Sequence, residues 1–370
     1  MDTLDFRCKS PALRNLGRYY ISEERQARMF TFSASGFEVG FIGTTLKAEL
    51  IATECGRPQG EAAVAVVVDD TPFADSQKIT LNQPDAFYVL AKDLPFAYHR
   101  VRLYKRTESA CSLTGWKKLT TDGSFNALKE TRSLKIEIYG DSITAGNGSE
   151  GIEGDDNFET RTENALISYG ALASEKLNAD FSIIAIGGYA VYRSPWNVDA
   201  PIKNIPQMFS FADCTWSTNL SNAIPWDHHC YQPDLVVINL GTNDDQYLLP
   251  LPAEERIEEM ANFQKAMKAF IDLIRKTYGN CKVIVAIGMK EALLAVLHFL
   301  FNEDHYLYSY EETDARNLAS RHLLESVGYE FLGLKENVFI SKKNETITLA
   351  QYRLKKEGLS SLLISADISK

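Results

Sequence analysis

The sequence predicts an α/β protein in three parts. A β-sandwich occupies residues 1–130, a parallel α/β sheet 131–288, and a smaller α+β segment 289–370. Three observations predict this. Up to about residue 130 the chain is a series of short alternating runs between turn clusters, with no helix-length amphipathic pattern. From about residue 133, four β-branched-rich runs each close on glycine, with helical patterns between some of them. After Gly288 the pattern changes again. A length of 370 residues is more than one core comfortably fills, so two or three domains are expected.

The first part is justified strand by strand. In "GFEVGF" Phe37, Val39 and Phe41 alternate with smaller or polar residues, and in "TLKAEL" Leu46, Ala48 and Leu50 do the same. "HRVRLYKR" alternates Val101 and Leu103 with Arg100 and Arg102, while "AAVAVVVDD" is a continuous apolar run ending in a turn. Period-2 strands joined by turns suit a jelly-roll-like sandwich.

The second part rests on "LKIEIYG", "FSIIAIGG", "DLVVINLG" and "KVIVAIG". Continuous apolar runs are strands buried on both faces, and with intervening helices they form a parallel sheet. The clearest helix runs from about Ala253 to Tyr278. It places Ile257, Met260, Phe263, Met267, Phe270, Ile271 and Ile274 on one face, with Gly279 at the stop. The third part reads as a helix in "MKEALLAVLHFLF", a strand in "HYLYSY", a helix in "NLASRHLLESVGY", and strands in "EFLGLKENVFIS" and "TITLAQYRL".

In parallel sheets ligands sit beyond the carboxyl ends of the strands, so chemistry is sought there. Ser142 follows the first strand through Gly140-Asp141. Gly187-Gly188 ends the second. Asn243, in "NLGTNDD", ends the third. Singly, each of these is an ordinary turn or cap residue. Together they offer a hydroxyl nucleophile, the Ser142 and glycine backbone N–H groups, and an uncharged amide donor. That is the inventory of an oxyanion hole for acyl transfer.

"GDSIT", Gly140 to Thr144, and "GTND", Gly241 to Asp244, resemble the first and Asn blocks of the SGNH (GDSL-like) hydrolases. The resemblance implies a flavodoxin-like domain, Ser142 as nucleophile and Asn243 as oxyanion donor. Gly188 is the better match to the glycine of the second block, with Gly187 close behind. "SGFEVGFIGTTLKAEL", "HRVRLYKRTES" and "YGDSITAGNGSE" are similar to carbohydrate esterase family two. That family joins a β-sandwich to an SGNH domain and deacetylates xylan and other plant glycans. The likeness covers roughly residues 15–288.

Such an enzyme needs a histidine to take the serine proton, normally in a C-terminal D-x-x-H or D-x-H-P loop. The six histidines, His99, His228, His229, His298, His305 and His322, show neither pattern, so the general base is unknown. Residues 289–355 instead resemble the second half of a GNAT N-acetyltransferase. Asn317 and Ser320 match its N-x-x-S and Gly328-Tyr329 its helix stop, but the phosphate-holding loop of the first half is missing. This segment is expected to complete the parallel sheet. The loop "EETDARN", with Asp314, would then stand where the histidine loop belongs.

The net charge of −10 disfavours a nucleic-acid groove or an anionic membrane surface, and no apolar run is long enough to span a bilayer. Six scattered cysteines show no CxxC spacing, so neither a metal nor a cofactor is expected. "MDTLDFRCKS" has no signal-peptide pattern, which favours a cytoplasmic chain. The expected function is a serine esterase that removes acetyl groups from carbohydrate, acting on an acetylated glycan or another small acyl ester. The alternatives are a catalytically impaired carbohydrate-binding protein and an acyl-CoA-dependent acetyltransferase.

Overall fold

The computed structural model describes residues 1–53, 62–129, 132–151, 159–197, 200, 202–214, 223–279, 281–286, 308–314, 321, 324–325, 329–340 and 346–355. Two compact units are present: residues 1–240 with 273–286, and residues 241–272 with 287–370.

In the first unit, the alternating runs of the N-terminal part make two six-stranded sheets. One runs Tyr20–Ser22, Ala27–Met29, Thr114–Thr121, Leu46–Ala52, Asp85–Ala91, with Asp2–Asp5 also paired to Thr114–Thr121. The other runs Ser124–Phe125, Gly36–Gly43, Ala97–Lys105, Ala62–Val68, Gln77–Leu81, with Leu13–Leu16 also paired to Gly36–Gly43. All of these pairings are antiparallel. Phe37, Val39, Phe41, Leu46, Ala48, Leu50, Val101 and Leu103 meet in the core of the sandwich, as their alternation predicts.

The strand Ala62–Val68 explains its own unbroken apolar run. Val64 and Val66 face the sandwich core, whereas Ala65 and Val67 belong to a second core with Tyr104, Ile136, Ile138, Phe181 and Ile183. The sandwich therefore shares a core with the parallel sheet. Arg100 and Arg102, which the alternation turns away from the sandwich core, are also buried.

The four glycine-terminated runs are the strands Lys135–Gly140, Asp180–Ala185, Leu235–Asn239 and Lys282–Ala286. They pair in parallel, with the second strand outside the first and the third and fourth on its other side. This 2-1-3-4 order is the flavodoxin-like one, and its direction reverses between the first and third strands. A buried ion pair fixes the centre of this sheet. Arg18 Nη2 stands 3.1 Å from Glu137 Oε1, both side chains being fully buried. Tyr139 and Tyr278 donate to Glu137 Oε2 at 2.6 and 2.7 Å.

The helix Ala253–Tyr278 has the predicted bounds, and Gly279 follows it at φ +63°. Phe263, Met267, Phe270, Ile271 and Ile274 are buried, but Ile257 in its first turn is 71% exposed.

In the second unit, Tyr308–Asp314, Thr346–Lys355 and Glu330–Ile340 form an antiparallel sheet with Thr346–Lys355 in the middle. Its buried Tyr352 accepts from Arg321 Nε and donates to Glu325 Oε1. Tyr329 N–H bonds to Leu324 O at 3.0 Å, the 6→1 bond with which helices commonly end. In the segment expected to complete the parallel sheet, the described strands pair with one another. Residues 311–314, expected in a loop, are strand for the same reason: Asp314 pairs with Leu349. The helix expected over 289–302 lies outside the described residues.

Candidate active site

Gly140 is the last residue of the first parallel strand, and the helical turn Ser142–Ala145 begins two residues later. A Cβ on Gly140 would lie 1.9 Å from Thr144 Oγ1, so only glycine lets the turn fold back onto the strand end. Asp141 is buried and caps the turn, its carboxylate accepting the Ile143 N–H at 3.1 Å. Gly146 closes the turn at φ +80°, and Asn147 N–H bonds to Ser142 O at 2.9 Å. Thr144 Oγ1 shares a 3.1 Å hydrogen bond with Tyr169 Oη. Ser142 is thus half-buried on a turn held at both ends.

The second strand leads into a turn over residues 186–189, in which Tyr189 N–H donates to Ile186 O at 3.3 Å. Gly188 has φ +80° while Gly187 does not have a positive φ. That combination is a type II turn, whose third position needs glycine. A Cβ built on Gly187 would stand 3.5 Å from Ser142 Cβ, so the structure brings this turn against the serine. Gly187 N–H donates to Glu108 Oε2 at 2.6 Å and is therefore occupied. Gly188 N–H and Ser142 N–H have no acceptor among the described residues. Trp196, 69% exposed, lies over Gly188, its Cβ 3.3 Å from where a Gly188 Cβ would be.

Glu108 was not singled out by the sequence reading. It lies in the stretch after the sandwich strand Ala97–Lys105 and is fully buried. A glutamate in "KRTESA" carries no signal of burial, because its cover comes from residues far away in the chain. Its own N–H donates to Glu163 Oε1 at 2.6 Å, and its carbonyl accepts from Lys105 Nζ at 2.8 Å.

Asn243 lies in the second unit. The third strand ends at Asn239, and Asn243 is buried four residues later in the helix Thr242–Leu248, after Gly241 at φ +124°. It does not end the strand itself, as the sequence suggested.

Three histidines fall among the described residues. His99 holds Asp69 at 2.9 Å and the Pro95 carbonyl at 2.8 Å. His228 Nδ1 bonds to Tyr278 Oη at 2.6 Å, and its ring stacks on Phe209 at 4.4 Å between centroids. Burial, helped by the nearby Arg18 charge, pushes the His228 imidazole down to about 4. His229 is exposed beside it, in the segment that leads into the third strand from its amino end. His298, His305 and His322 lie outside the described residues. Among the described residues no group of His, Cys, Asp and Glu is arranged to hold a metal ion.

These features define a class: a flavodoxin-like α/β protein with a serine at the switch point of its sheet, next to a glycine turn. More specifically, the chain belongs to the GDSL-like Lipase/Acylhydrolase family, whose family model matches residues 138–345. That match runs past Gly288, across the point where the sequence pattern changes. The Carbohydrate esterase 2 N-terminal model matches residues 16–129.

The chain is 30% identical over 237 residues to an acetylxylan esterase/glucomannan deacetylase of Cellvibrio japonicus, covering 63% of this chain and 62% of that protein. It is 28% identical over 282 residues to the cellulase/esterase CelE of Acetivibrio thermocellus, covering 75% of this chain and 31% of that protein. It thus spans less than two thirds of the length of either relative. Among solved structures, a family two carbohydrate esterase from Clostridium thermocellum in complex with cellohexaose has the same fold. Its TM-score is 0.67 at 24% identity, over 79% of this chain and 85% of that one. A GCN5-related N-acetyltransferase from Brucella melitensis reaches a TM-score of only 0.20 over 21% of the chain, which carries no argument for an acetyltransferase.

Proposed function

We propose that this chain is a serine esterase that removes acetyl groups from carbohydrate. One observation carries the reading. Ser142 stands against a glycine turn, and the Ser142 and Gly188 N–H groups are both without an acceptor. Two N–H donors beside a nucleophile are the groups that receive the oxyanion of acyl transfer.

Ser142 Oγ attacks the acetyl carbonyl. The carbonyl electrons move to oxygen, and the Ser142 and Gly188 N–H groups receive that oxyanion. The proton that leaves Ser142 Oγ goes to the sugar oxygen, so collapse expels the sugar as a hydroxyl and leaves an acetyl-serine; water then adds to it, releasing acetate and returning a proton to Ser142 Oγ. Asn243 is assigned the third donor from its place in the "GTND" block. The occupied Gly187 N–H supports Gly188 over Gly187 as the second. The acetylxylan esterase relatives supply the substrate class, acetylated glycan.

A second reading, glycan binding without turnover, is favoured by the commitments of His99 and His228 elsewhere. The experiment that separates the two is hydrolysis of a chromogenic acetyl ester by the wild type and Ser142→Ala across pH 5 to 9. We expect kcat/KM to fall at least about 10³-fold in the variant. An acid limb near 6.5 would identify an imidazole base, and one nearer 4 a carboxylate. No Ser142-dependent hydrolysis, with glycan affinity retained, would establish the binding reading instead.

A further inference from the structure

We infer that Glu108, from the sandwich, is a positioning residue that holds the Gly187-Gly188 turn in the orientation catalysis needs. The inference rests on the esterase reading and deepens it.

Two consecutive glycines are the least constrained dipeptide a chain can place at a site. Ordering them costs more conformational entropy than ordering any other pair of residues. The peptide between the two glycines carries Gly188 N–H. With no side chain to pin this turn, something else must hold it against Ser142.

The structure shows an anchor on each side of that peptide. Gly187 N–H donates to the buried Glu108 carboxylate at 2.6 Å. Gly188 C=O accepts from Ser194 Oγ at 2.6 Å, and Trp196 N–H donates to the same hydroxyl at 3.1 Å. The Glu108 side chain is fully buried, so water does not compete for its hydrogen bond with Gly187 N–H. Glu108 is rigid in its own right, because Glu163 holds the Glu108 N–H and Lys105 the Glu108 carbonyl. With both flanking peptides held, the turn as a whole keeps its place against Ser142, and Gly188 N–H stays where an oxyanion forms. Glu108 touches no reacting atom; it acts through Gly187.

The test compares wild type, Glu108→Ala, Glu108→Gln and Ser194→Ala in the full chain. Acetyl-ester kinetics and hydrogen exchange at the Gly187 amide are both read. Glutamine keeps an oxygen for Gly187 N–H and has no carboxylate to take a proton. We expect Glu108→Ala to lose roughly 10–100-fold in kcat with KM little changed, since oxyanion donors act in the transition state. The Gly187 amide should then exchange faster. Glu108→Gln should recover most of the rate, with the wild-type pH profile and slow exchange. Ser194→Ala should lose kcat in the same direction by roughly 3–10-fold, and it carries the test if Glu108→Ala does not fold.

Two outcomes overturn the inference. One is wild-type kcat in the folded Glu108→Ala, or in Ser194→Ala where that variant carries the test. The other is a Glu108→Gln as inactive as Glu108→Ala, which would make the carboxylate a proton acceptor rather than an anchor. Failure of the esterase reading is recognised separately, because wild type and Ser142→Ala would then hydrolyse the ester equally. That result removes the oxyanion and the inference with it.

Discussion

Two buried charges of the sandwich reach the parallel sheet, and they meet different partners. Arg18 enters near the middle of the sheet and finds Glu137, a full counter-charge that two tyrosine hydroxyls also serve. Glu108 enters at the carboxyl end and finds a backbone N–H beside Ser142. A buried ion pair away from the strand ends holds elements together. A side chain that holds one amide of a glycine turn fixes where that turn stands against the serine. The first contact therefore belongs to stability and the second to rate.

The largest effect expected on the stability side comes from cutting Glu137 out of the pair. Glu137→Leu leaves Arg18 charged and buried, at a cost of about 3–5 kcal/mol in urea unfolding. The double variant Arg18→Met/Glu137→Leu should recover most of that loss. Molecules that remain folded should keep wild-type kcat. A folded Glu137→Leu protein with kcat lowered as much as in Glu108→Ala would break the contrast between the two contacts.

A smaller effect is expected for Gly140→Ala, which lies at the carboxyl end but on the serine side. Its new methyl must displace Thr144, at roughly 1–3 kcal/mol. The displacement moves the turn that carries Ser142, so kcat should fall as well. Loss of stability with no change in kcat would show that the serine turn tolerates a shift.

A pH dependence is expected on the Arg18 side as well. The His228 imidazole titrates near 4 in the fold, against 6.5 in the unfolded chain. Between these values the unfolded chain takes up a proton that the folded one refuses. Stability is fully present above 6.5 and is lost as pH falls towards 4. His228→Phe should flatten unfolding curves measured across that window. A curve as steep as the wild type would place the acid sensitivity elsewhere.

Much of this was legible in the sequence. The four glycine-ended runs gave the parallel sheet, and the alternation of Phe37, Val39 and Phe41 gave the sandwich. Both follow from local periodicity. Ser142 and the glycine pair were legible for the same reason, since a strand end followed by glycine is a local pattern. Glu108 was not, and neither was the burial of Arg100, Arg102 and Arg18. A charged residue is exposed by default, and only distant cover overrides that default. Tyr308–Asp314 failed differently. "EETD" has poor strand propensity, and its extension as strand comes from pairing with residues 349–352, nearly forty positions away.

The strand Ala62–Val68 has a consequence for how this molecule comes apart. Its side chains alternate between two hydrophobic interiors, so neither interior can be exposed to water without dismantling a wall of the other. Heat or denaturant finds no seam between sandwich and parallel sheet. Ala145, at the end of the serine turn, sits in one of those interiors, so opening the turn also disturbs the packing that joins sandwich and sheet.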